Sequence, residues 1–258
     1  MGKMLRSLWW YITNPPYYSE FFNVLLLALK EKVILNDNES RSKALEFCAK
    51  QAIDTETAID HITGKSVSEI LTEDFKRQLV VSKELVEMSP VKMGGSGNLS
   101  LIFCLTEHVQ AKKVIETGVA YGWSSLAILF SLKSREKSIL YSIDKPYPGA
   151  GNEKYVGCAV PEELQSRWKL LRLPDRKGIP LALQELEKVD LCHYDSDKSY
   201  SGRMWAYPLL WENLRTGGIF ISDDVADNLA FKEFSEHIGQ KPRIIKEGND
   251  HYVGVLVK

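Results

Sequence analysis

Four aspartates follow two apolar segments that the sequence predicts to be strands. Asp195 and Asp197 lie in HYDSDKSYSG, and Asp223 and Asp224 end GGIFISDD. Because parallel strands end at one edge of a sheet, these carboxylates are expected to converge, and a hard divalent cation would keep them ionised. The alternative for Asp197 and Asp224 is that each only caps a helix. Lys198 could take a hydroxyl proton in the same cavity if its pKa is lowered; otherwise it is a surface lysine.

A glycine-containing turn in KVIETGVAYGWSS is the second feature with chemical potential. Glu116 ends a predicted strand, Gly118 and Gly122 allow a sharp turn, and the helix that starts near Trp123 offers free amides to an anionic ligand. The spacing is ExGxxxG and not the GxGxxG of dinucleotide binders. Alone, the turn could be a simple strand-to-helix connection. Asp144 ends the next predicted strand, where a carboxylate can accept both ribose hydroxyls, so the combination favours an adenosine-containing cofactor.

From residue 91 onward, short β-rich runs alternate with helical segments, which predicts right-handed βαβ units. The last two runs are separated only by the turn EGND, which predicts a hairpin. The fold class is therefore α/β, a Rossmann-like seven-stranded mostly parallel sheet with a C-terminal antiparallel hairpin. The predicted strands are 113–116, 138–143, 168–172, 189–194, 218–222, 243–246 and 252–257, with helices at 98–109, 124–132, 179–187, 203–214 and 228–238.

The first 90 residues have a helical pattern instead. Apolar residues recur at helical spacing over 20–32, 40–62 and 72–88, and Ser66 with Glu69 forms a capping-box signature. We therefore expect an N-terminal helical extension over residues 1–90 and a catalytic domain over residues 91–258. Because the extension is rich in aromatic residues, it is expected to cover the acceptor side of the site or to form a homodimer contact.

Composition excludes several classes of protein. The 258 residues include 33 Lys and Arg against 34 Asp and Glu, a net charge of -1, which argues against a nucleic-acid partner. Four cysteines without CxxC spacing predict reduced thiols and a cytoplasmic protein. The longest apolar run, over 21–29, is too short to cross a membrane, and Asn14-Pro15-Pro16 interrupts the N-terminal apolar segment too early for a secretion signal.

The segments ETGVAYGWSS, SID, RLPD, HYDSDKSYSG and LRTGGIFISDD occur in an order that resembles class I S-adenosylmethionine-dependent methyltransferases. Among them the sequence is most similar to O-methyltransferases of the catechol, caffeoyl-CoA and macrocin types. The resemblance covers roughly residues 91–258. It implies transfer of a methyl group from S-adenosylmethionine to a hydroxyl of a small molecule or sugar.

The resemblance also implies roles for particular residues. Glu116, Gly118 and Ser124 would hold the methionine end of the cofactor, Asp144 the ribose and Asp175 the adenine side. The implied cofactor-binding set is Met93, Glu116, Gly118, Tyr121, Gly122, Ser124, Asp144 and Asp175.

In metal-dependent members the corresponding carboxylates bind magnesium, which here implies Asp195, Asp223 and Asp224. Their Asp-x-x-Lys motif matches Asp195 to Lys198 and implies that Lys198 is the general base, with Asp195 the other catalytic residue. Two departures concern the site: Ala120 replaces a common Tyr, and Asp224 replaces a common Asn, so the metal preference stays open. A Gly- and Pro-rich loop over 145–161 replaces much of the usual second helix and is expected to be specific to the acceptor.

The acceptor itself is not identified by the sequence. Aromatic surface for a sugar or an aromatic ring could come from Tyr147, Tyr155, Trp205, Tyr207 and Trp211, or these side chains could simply pack on helix faces.

Two other functions each fit part of the pattern. Asp195-Ser196-Asp197 is a DxD motif, as in metal-dependent glycosyltransferases, but the glycine turn then has no role. A non-catalytic α/β module that binds partners through its aromatic N-terminus leaves the clustered acids unexplained.

Overall fold

The computed structural model describes residues 9–18, 37–147 and 151–258. In these residues eight strands form one sheet in the order β1-β7-β8-β6-β5-β2-β3-β4. Only β8 runs antiparallel to its neighbours, β6 and β7. The strands are β1 (Ala52–Ile53), β2 (Lys113–Thr117), β3 (Ile139–Ile143), β4 (Trp168–Leu171), β5 (Val189–Tyr194), β6 (Leu214–Ser222), β7 (Arg243–Lys246) and β8 (Tyr252–Val257). The predicted α/β fold, a mostly parallel sheet with a C-terminal antiparallel hairpin, is confirmed.

Helices cover both faces of the sheet. Along β2, Val114 packs into the cluster on one face and Ile115 into the cluster on the other, and Leu191 and Cys192 of β5 alternate in the same way. The strands are apolar on both sides for this reason. The helices in the described ranges are α1 (Asp37–Gln51), α2 (Thr55–Thr63), α3 (Val67–Ile70), α4 (Glu73–Glu87), α5 (Leu99–His108), α6 (Trp123–Leu132), α7 (Asp175–Leu186), α8 (Tyr200–Asn213) and α9 (Ala230–His237).

The sheet has one strand more than the sequence predicted. The expected continuous helix over 40–62 is interrupted at Ala52–Ile53, which pair in parallel with Ile244 and Ile245 of β7. The interruption is local in origin, because Asp54 caps α2 by accepting the backbone N–H of Thr57 at 2.9 Å. The segment before residue 91 thus contributes to the sheet.

Helices before residue 91 also contribute to the core. Ala58, Ile59 and Phe75 are fully buried, and the Phe75 ring stacks on Phe103 of α5 with centroids 4.4 Å apart. The capping box is present, since the Ser66 N–H donates to the Glu69 carboxylate at 2.8 Å. The predicted helix over 20–32 lies outside the described residues. Division of the chain at residue 90 and a homodimer contact stay predictions.

Two further expectations concern the thiols and the membrane. All four cysteines, Cys48, Cys104, Cys158 and Cys192, are free. Among the residues that the structure describes, none of the helices combines the length and the apolar character needed to cross a membrane.

Candidate active site

A cavity of about 300 Å³ lies beyond the carboxyl ends of β2, β5 and β6. One wall is the loop 93–98, which leads into α5. The turn between β2 and α6 forms the second wall, and the tips of β5 and β6 with the start of β8 form the third. The residues relevant to chemistry on these walls are Met93, Gly118, Ser124, Tyr147, His193, Asp195, Lys198, Asp223, Asp224 and His251.

Gly118 allows the ends of β2 and β5 to approach each other closely. Its φ is +79°, and a Cβ built on it would lie 2.0 Å from the carbonyl oxygen of Asp195. The Asp195 N–H donates to the Thr117 carbonyl at 3.0 Å, which continues the pairing of the two strands. Gly122 is constrained as well, with φ +86° and its Cβ position 2.9 Å from the Cα of Gly157. Only glycine satisfies both the dihedral angle and the space at these positions.

Asp144 lies at the end of β3, next to the glycine turn. It accepts the Val119 N–H at 3.2 Å and forms an ion pair with Arg172, which also binds Glu153 at 2.7 Å. Burial raises the pKa of Asp144, and the Arg172 guanidinium partly offsets this effect. The carboxylate is therefore held in place by a backbone amide on one oxygen and a cation on the other.

Three carboxylates meet at the far wall of the cavity. Asp195 follows β5, and Asp223 and Asp224 follow β6; one oxygen of each lies within 4.8 Å of the others. Asp224 has φ +51°, a conformation uncommon outside glycine. Lys198 contacts both Asp195, at 3.4 Å, and Asp224.

Charges within this cluster shift the protonation equilibria. Burial and the nearby Asp223 raise the pKa of Asp195. Burial alone would lower the pKa of Lys198, but Asp195 and Asp224 outweigh it and raise the pKa. For Asp224, burial is outweighed by His251 and Lys198, so its pKa lies below the usual range. Lys198 is thus held as the ammonium form.

Comparison with known proteins identifies the domain that carries this cavity. Residues 115–225 match a family model described as a methyltransferase domain. Residues 115–225 are a methyltransferase domain. This match and the fold confirm the resemblance to class I S-adenosylmethionine-dependent methyltransferases.

Solved structures share the fold of the methyltransferase domain at low sequence identity. Cofactor-bound Rv0187 from MTB superposes with a TM-score of 0.53 at 14% identity, over 72% of this chain and 90% of that one. The SAH-bound methyltransferase PaMTH1 of Podospora anserina superposes with a TM-score of 0.50 at 14% identity, over 86% of this chain and 96% of that one. No curated protein sequence matches the chain significantly.

Glu116 of the methyltransferase domain lies beneath the cavity and does not line it. The side chain is fully buried and accepts hydrogen bonds from Ser125 at 2.5 Å and Ser142 at 2.6 Å, while its other oxygen lies 3.5 Å from Nδ1 of His193. Glu116 thus lies under the floor of the site, and the contact with the cofactor that the resemblance implied for it stays a prediction. Burial would lower the pKa of His193, but Glu116 outweighs it and the pKa is raised.

Tyr121 and Asp175, two other predicted cofactor residues, form hydrogen bonds to residues that line the cavity. Tyr121 donates to the Val91 carbonyl at 2.6 Å and accepts the Met93 N–H at 3.2 Å, so it fixes the loop whose Met93 lines the cavity. Asp175 accepts the Ser196 hydroxyl at 2.5 Å, and burial raises its pKa to about 6. Like Asp144 and Gly122, these two residues border the cavity without lining it. Met93, Gly118 and Ser124 do line it, and their binding of the cofactor stays a prediction.

Several other predicted residues are placed by local structure. The carboxylate of Asp197 accepts the Ser199 N–H at 3.0 Å at the start of α8, which corresponds to the alternative interpretation of a local cap. Tyr207 is fully buried in the core, and Trp205 and Trp211 pack against the same cluster. Of the aromatic candidates for acceptor binding, Tyr147 lines the cavity.

His251 is a cavity residue that the sequence did not reveal. It precedes β8, and its Nε2 lies 2.9 Å from Asp224 and 3.1 Å from Asp223, while its Nδ1 lies 3.1 Å from Glu247. Hydrogen bonds to Asp223, Asp224 and Glu247 raise its pKa to about 12. The available signal was the predicted hairpin: β8 pairs with β6, and Ser222 faces Gly254, so residues just before β8 must reach the tip of β6.

Proposed function

We propose that the protein transfers the methyl group of S-adenosylmethionine to a hydroxyl group of a small molecule or sugar. The observation that carries the proposal is that the glycine turn and the acidic cluster line one and the same cavity. A methyl donor bound at the turn would face a hydroxyl bound at the cluster. Two structures of the same fold are described as cofactor-bound and SAH-bound, which supports a cofactor of this class.

The cofactor end of the site consists of backbone and one carboxylate. Gly118 and Ser124 line the cavity where α6 begins, and helix-start amides favour a bound carboxylate. Asp144 retains unused lone pairs for ribose hydroxyls, because each of its oxygens accepts one donor group. The cofactor would supply a methyl group already activated on a sulfonium, so the protein has to position and desolvate the acceptor.

The acidic cluster suits a divalent cation by its donors and its charge. Asp195, Asp223 and Asp224 offer oxygen ligands of the kind that Mg²⁺ and Ca²⁺ take. With Glu247, four carboxylates face the two cations Lys198 and His251, which leaves a formal charge of -2 for a divalent ion to balance. Such an ion would orient the acceptor hydroxyl and lower its pKa.

Asp195 is the proposed acceptor of the hydroxyl proton. Lys198, the base that the resemblance implied, is held in its charged form between two carboxylates and has no free lone pair. Asp195 lines the cavity and its carboxylate carries lone pairs that can accept a proton, which makes it the better base of the two. Lys198 would then serve as a fixed positive charge that holds Asp195 and Asp224 in place.

A transfer assay with a labelled methyl donor tests the proposal. Wild-type protein is incubated with methyl-labelled S-adenosylmethionine and a panel of sugars and aromatic diols, with magnesium or with EDTA. We expect label in at least one hydroxyl acceptor, and Asp195→Asn should slow this transfer by about 10²–10⁴-fold while retaining S-adenosylhomocysteine binding. The exposed His237, which ends α9 and does not line the cavity, provides a control in His237→Gln. Transfer to nitrogen or sulfur acceptors only would refute O-methylation.

The glycosyltransferase alternative has less support. A DxD motif requires both carboxylates at the metal, but the carboxylate of Asp197 is hydrogen-bonded to the start of α8 and does not line the cavity. Binding of a nucleotide sugar with manganese, in place of S-adenosylhomocysteine, in a thermal-shift screen would favour that alternative.

A further inference from the structure

Arg172 is a cation beside the proposed cofactor site that takes no part in the proposed reaction. It directly follows β4, and its backbone is held by the N-terminal part of the chain, because the Tyr17 hydroxyl donates to its carbonyl at 2.8 Å. Only 20% of the side chain is exposed, and it does not line the cavity. Because burial of a charge is unfavourable unless the charge is paired, the partners of this guanidinium indicate what it does.

The guanidinium of Arg172 joins two carboxylates. Its Nε and Nη2 each donate to one oxygen of Glu153 at 2.7 Å, which is the bidentate geometry of a strong ion pair. Its Nη1 donates to the Asp144 carbonyl at 3.0 Å and also to the Asp144 carboxylate. All three nitrogens therefore have partners, and the side chain links the end of β3 to Glu153.

The segment that contains Glu153 packs on the glycine turn of the cofactor site. Within this segment, the Gly157 N–H donates to the Ala120 carbonyl at 2.9 Å. The side-chain amide of the buried Asn152 donates to Sδ of Met93 at 3.1 Å, on a neighbouring wall of the cavity. The ion pair with this glutamate therefore connects two walls of the cavity to the proposed ribose ligand.

The geometry points to Arg172 as a positioning residue for the cofactor, which orients the carboxylate of Asp144 and joins it to the segment that contains Glu153. The inference rests on the proposed function, since it requires a cofactor whose ribose binds Asp144. The Val119 N–H fixes one oxygen of this carboxylate at 3.2 Å, and Arg172 fixes the other. Without the guanidinium the carboxylate could rotate, and its ordering on binding would weaken the complex. Cofactor affinity should therefore depend on Arg172 and, less strongly, on Glu153, although neither residue lines the cavity.

Calorimetric titration of S-adenosylhomocysteine into full-length variants tests the inference. Arg172→Met removes both ion pairs and should weaken binding by about tenfold, which corresponds to one well-formed hydrogen bond. Arg172→Lys keeps a cation that can pair with only one of the two carboxylates, and it should recover part of this loss. Glu153→Ala leaves the pair with Asp144 intact and should weaken binding by about two- to fivefold, because exposed ion pairs are weak. Glu162→Ala is the matched control, since this exposed glutamate lies nearby in the chain and does not line the cavity, and it should match wild type.

A cofactor analogue separates positioning of the ribose ligand from a general effect on the fold. S-adenosylhomocysteine without its two ribose hydroxyls has no donor for Asp144, so its affinity should differ by less than about twofold between wild type and Arg172→Met. An equal loss for both ligands would make Arg172 a structural residue only and would overturn the proposal.

The remaining outcomes separate this inference from the proposed function. Urea unfolding shows whether Arg172→Met is folded, and Glu153→Ala provides a second variant because the Glu153 side chain is 61% exposed. Unchanged affinity for S-adenosylhomocysteine in both variants, with normal binding by wild type, would overturn this inference alone. Absence of binding by wild type would overturn the proposed function together with it.

Discussion

Replacement of Gly118 by alanine tests whether the close approach of β2 and β5 builds the cofactor site. Two costs add at this position. The first is the left-handed backbone, φ +79°, which costs an L-residue about 1–2 kcal/mol. The second is steric, because the new Cβ would lie 2.0 Å from the Asp195 carbonyl oxygen, a backbone atom held in the sheet. Relief of this overlap requires the strand ends to separate, and overpacking of this kind typically costs about 1–3 kcal/mol more.

Gly64→Ala is the matched control for this prediction. Gly64 has a similar φ of +70°, but its Cβ position has no heavy atom within 4 Å, and it ends α2 far from the cavity. We expect Gly64→Ala to lose about 1–2 kcal/mol of unfolding free energy. Gly118→Ala should lose about 2–5 kcal/mol, the sum of both terms.

Urea unfolding and calorimetric titration of S-adenosylhomocysteine measure the two consequences. Gly118→Ala should also lose cofactor binding, because the turn and the Asp195 strand tip are displaced together. Gly64→Ala should bind the cofactor like wild type. Equal losses of stability in the two variants, or normal cofactor affinity in Gly118→Ala, would refute the argument from close strand approach.

Four further outcomes follow from the site and the core. Asp195→Asn should lower kcat by about 10²–10⁴-fold and Lys198→Met by less, and the reverse order would restore Lys198 as the base. EDTA should suppress turnover and leave cofactor affinity intact, whereas full activity in EDTA would remove the metal. Phe75→Ala should lower the free energy of unfolding, measured in urea, by about 3–5 kcal/mol, because the ring is fully buried. Deletion of residues 1–88 should yield insoluble protein. A soluble and active truncated protein would show that this segment is dispensable.

The strand tips were predictable from the sequence because buried parallel strands are short apolar runs. Each run ends where the polar residues begin, so Asp144, Asp195 and Asp223 could be placed at one edge of the sheet without knowledge of any contact. The same reasoning placed the hairpin of β7 and β8. It failed for β1, whose two residues carry no periodicity and are defined only by their pairing with β7.

Side-chain partners within the site were less predictable. Glu116 ends β2 as expected, but its hydrogen bonds to Ser125 and Ser142, which keep it below the cavity, depend on the spacing between β2, β3 and α6. Arg172 begins the RLPD segment, but nothing in that segment indicates its ion pair with Asp144, and no motif marks His251, which reaches the site from a hairpin. Positions along the chain determine which residues arrive at the sheet edge, and packing determines which of them face the ligand.

The central claim, that the β2 and β3 ends form an S-adenosylmethionine site, is tested most directly by calorimetric titration of S-adenosylhomocysteine into wild-type protein and Asp144→Ala. We expect one site per chain in wild type. Asp144→Ala should bind more weakly by about 1–3 kcal/mol, the value of lost hydrogen bonds to a charged group. Absence of binding by wild type, or identical affinity of the two proteins, would contradict the claim.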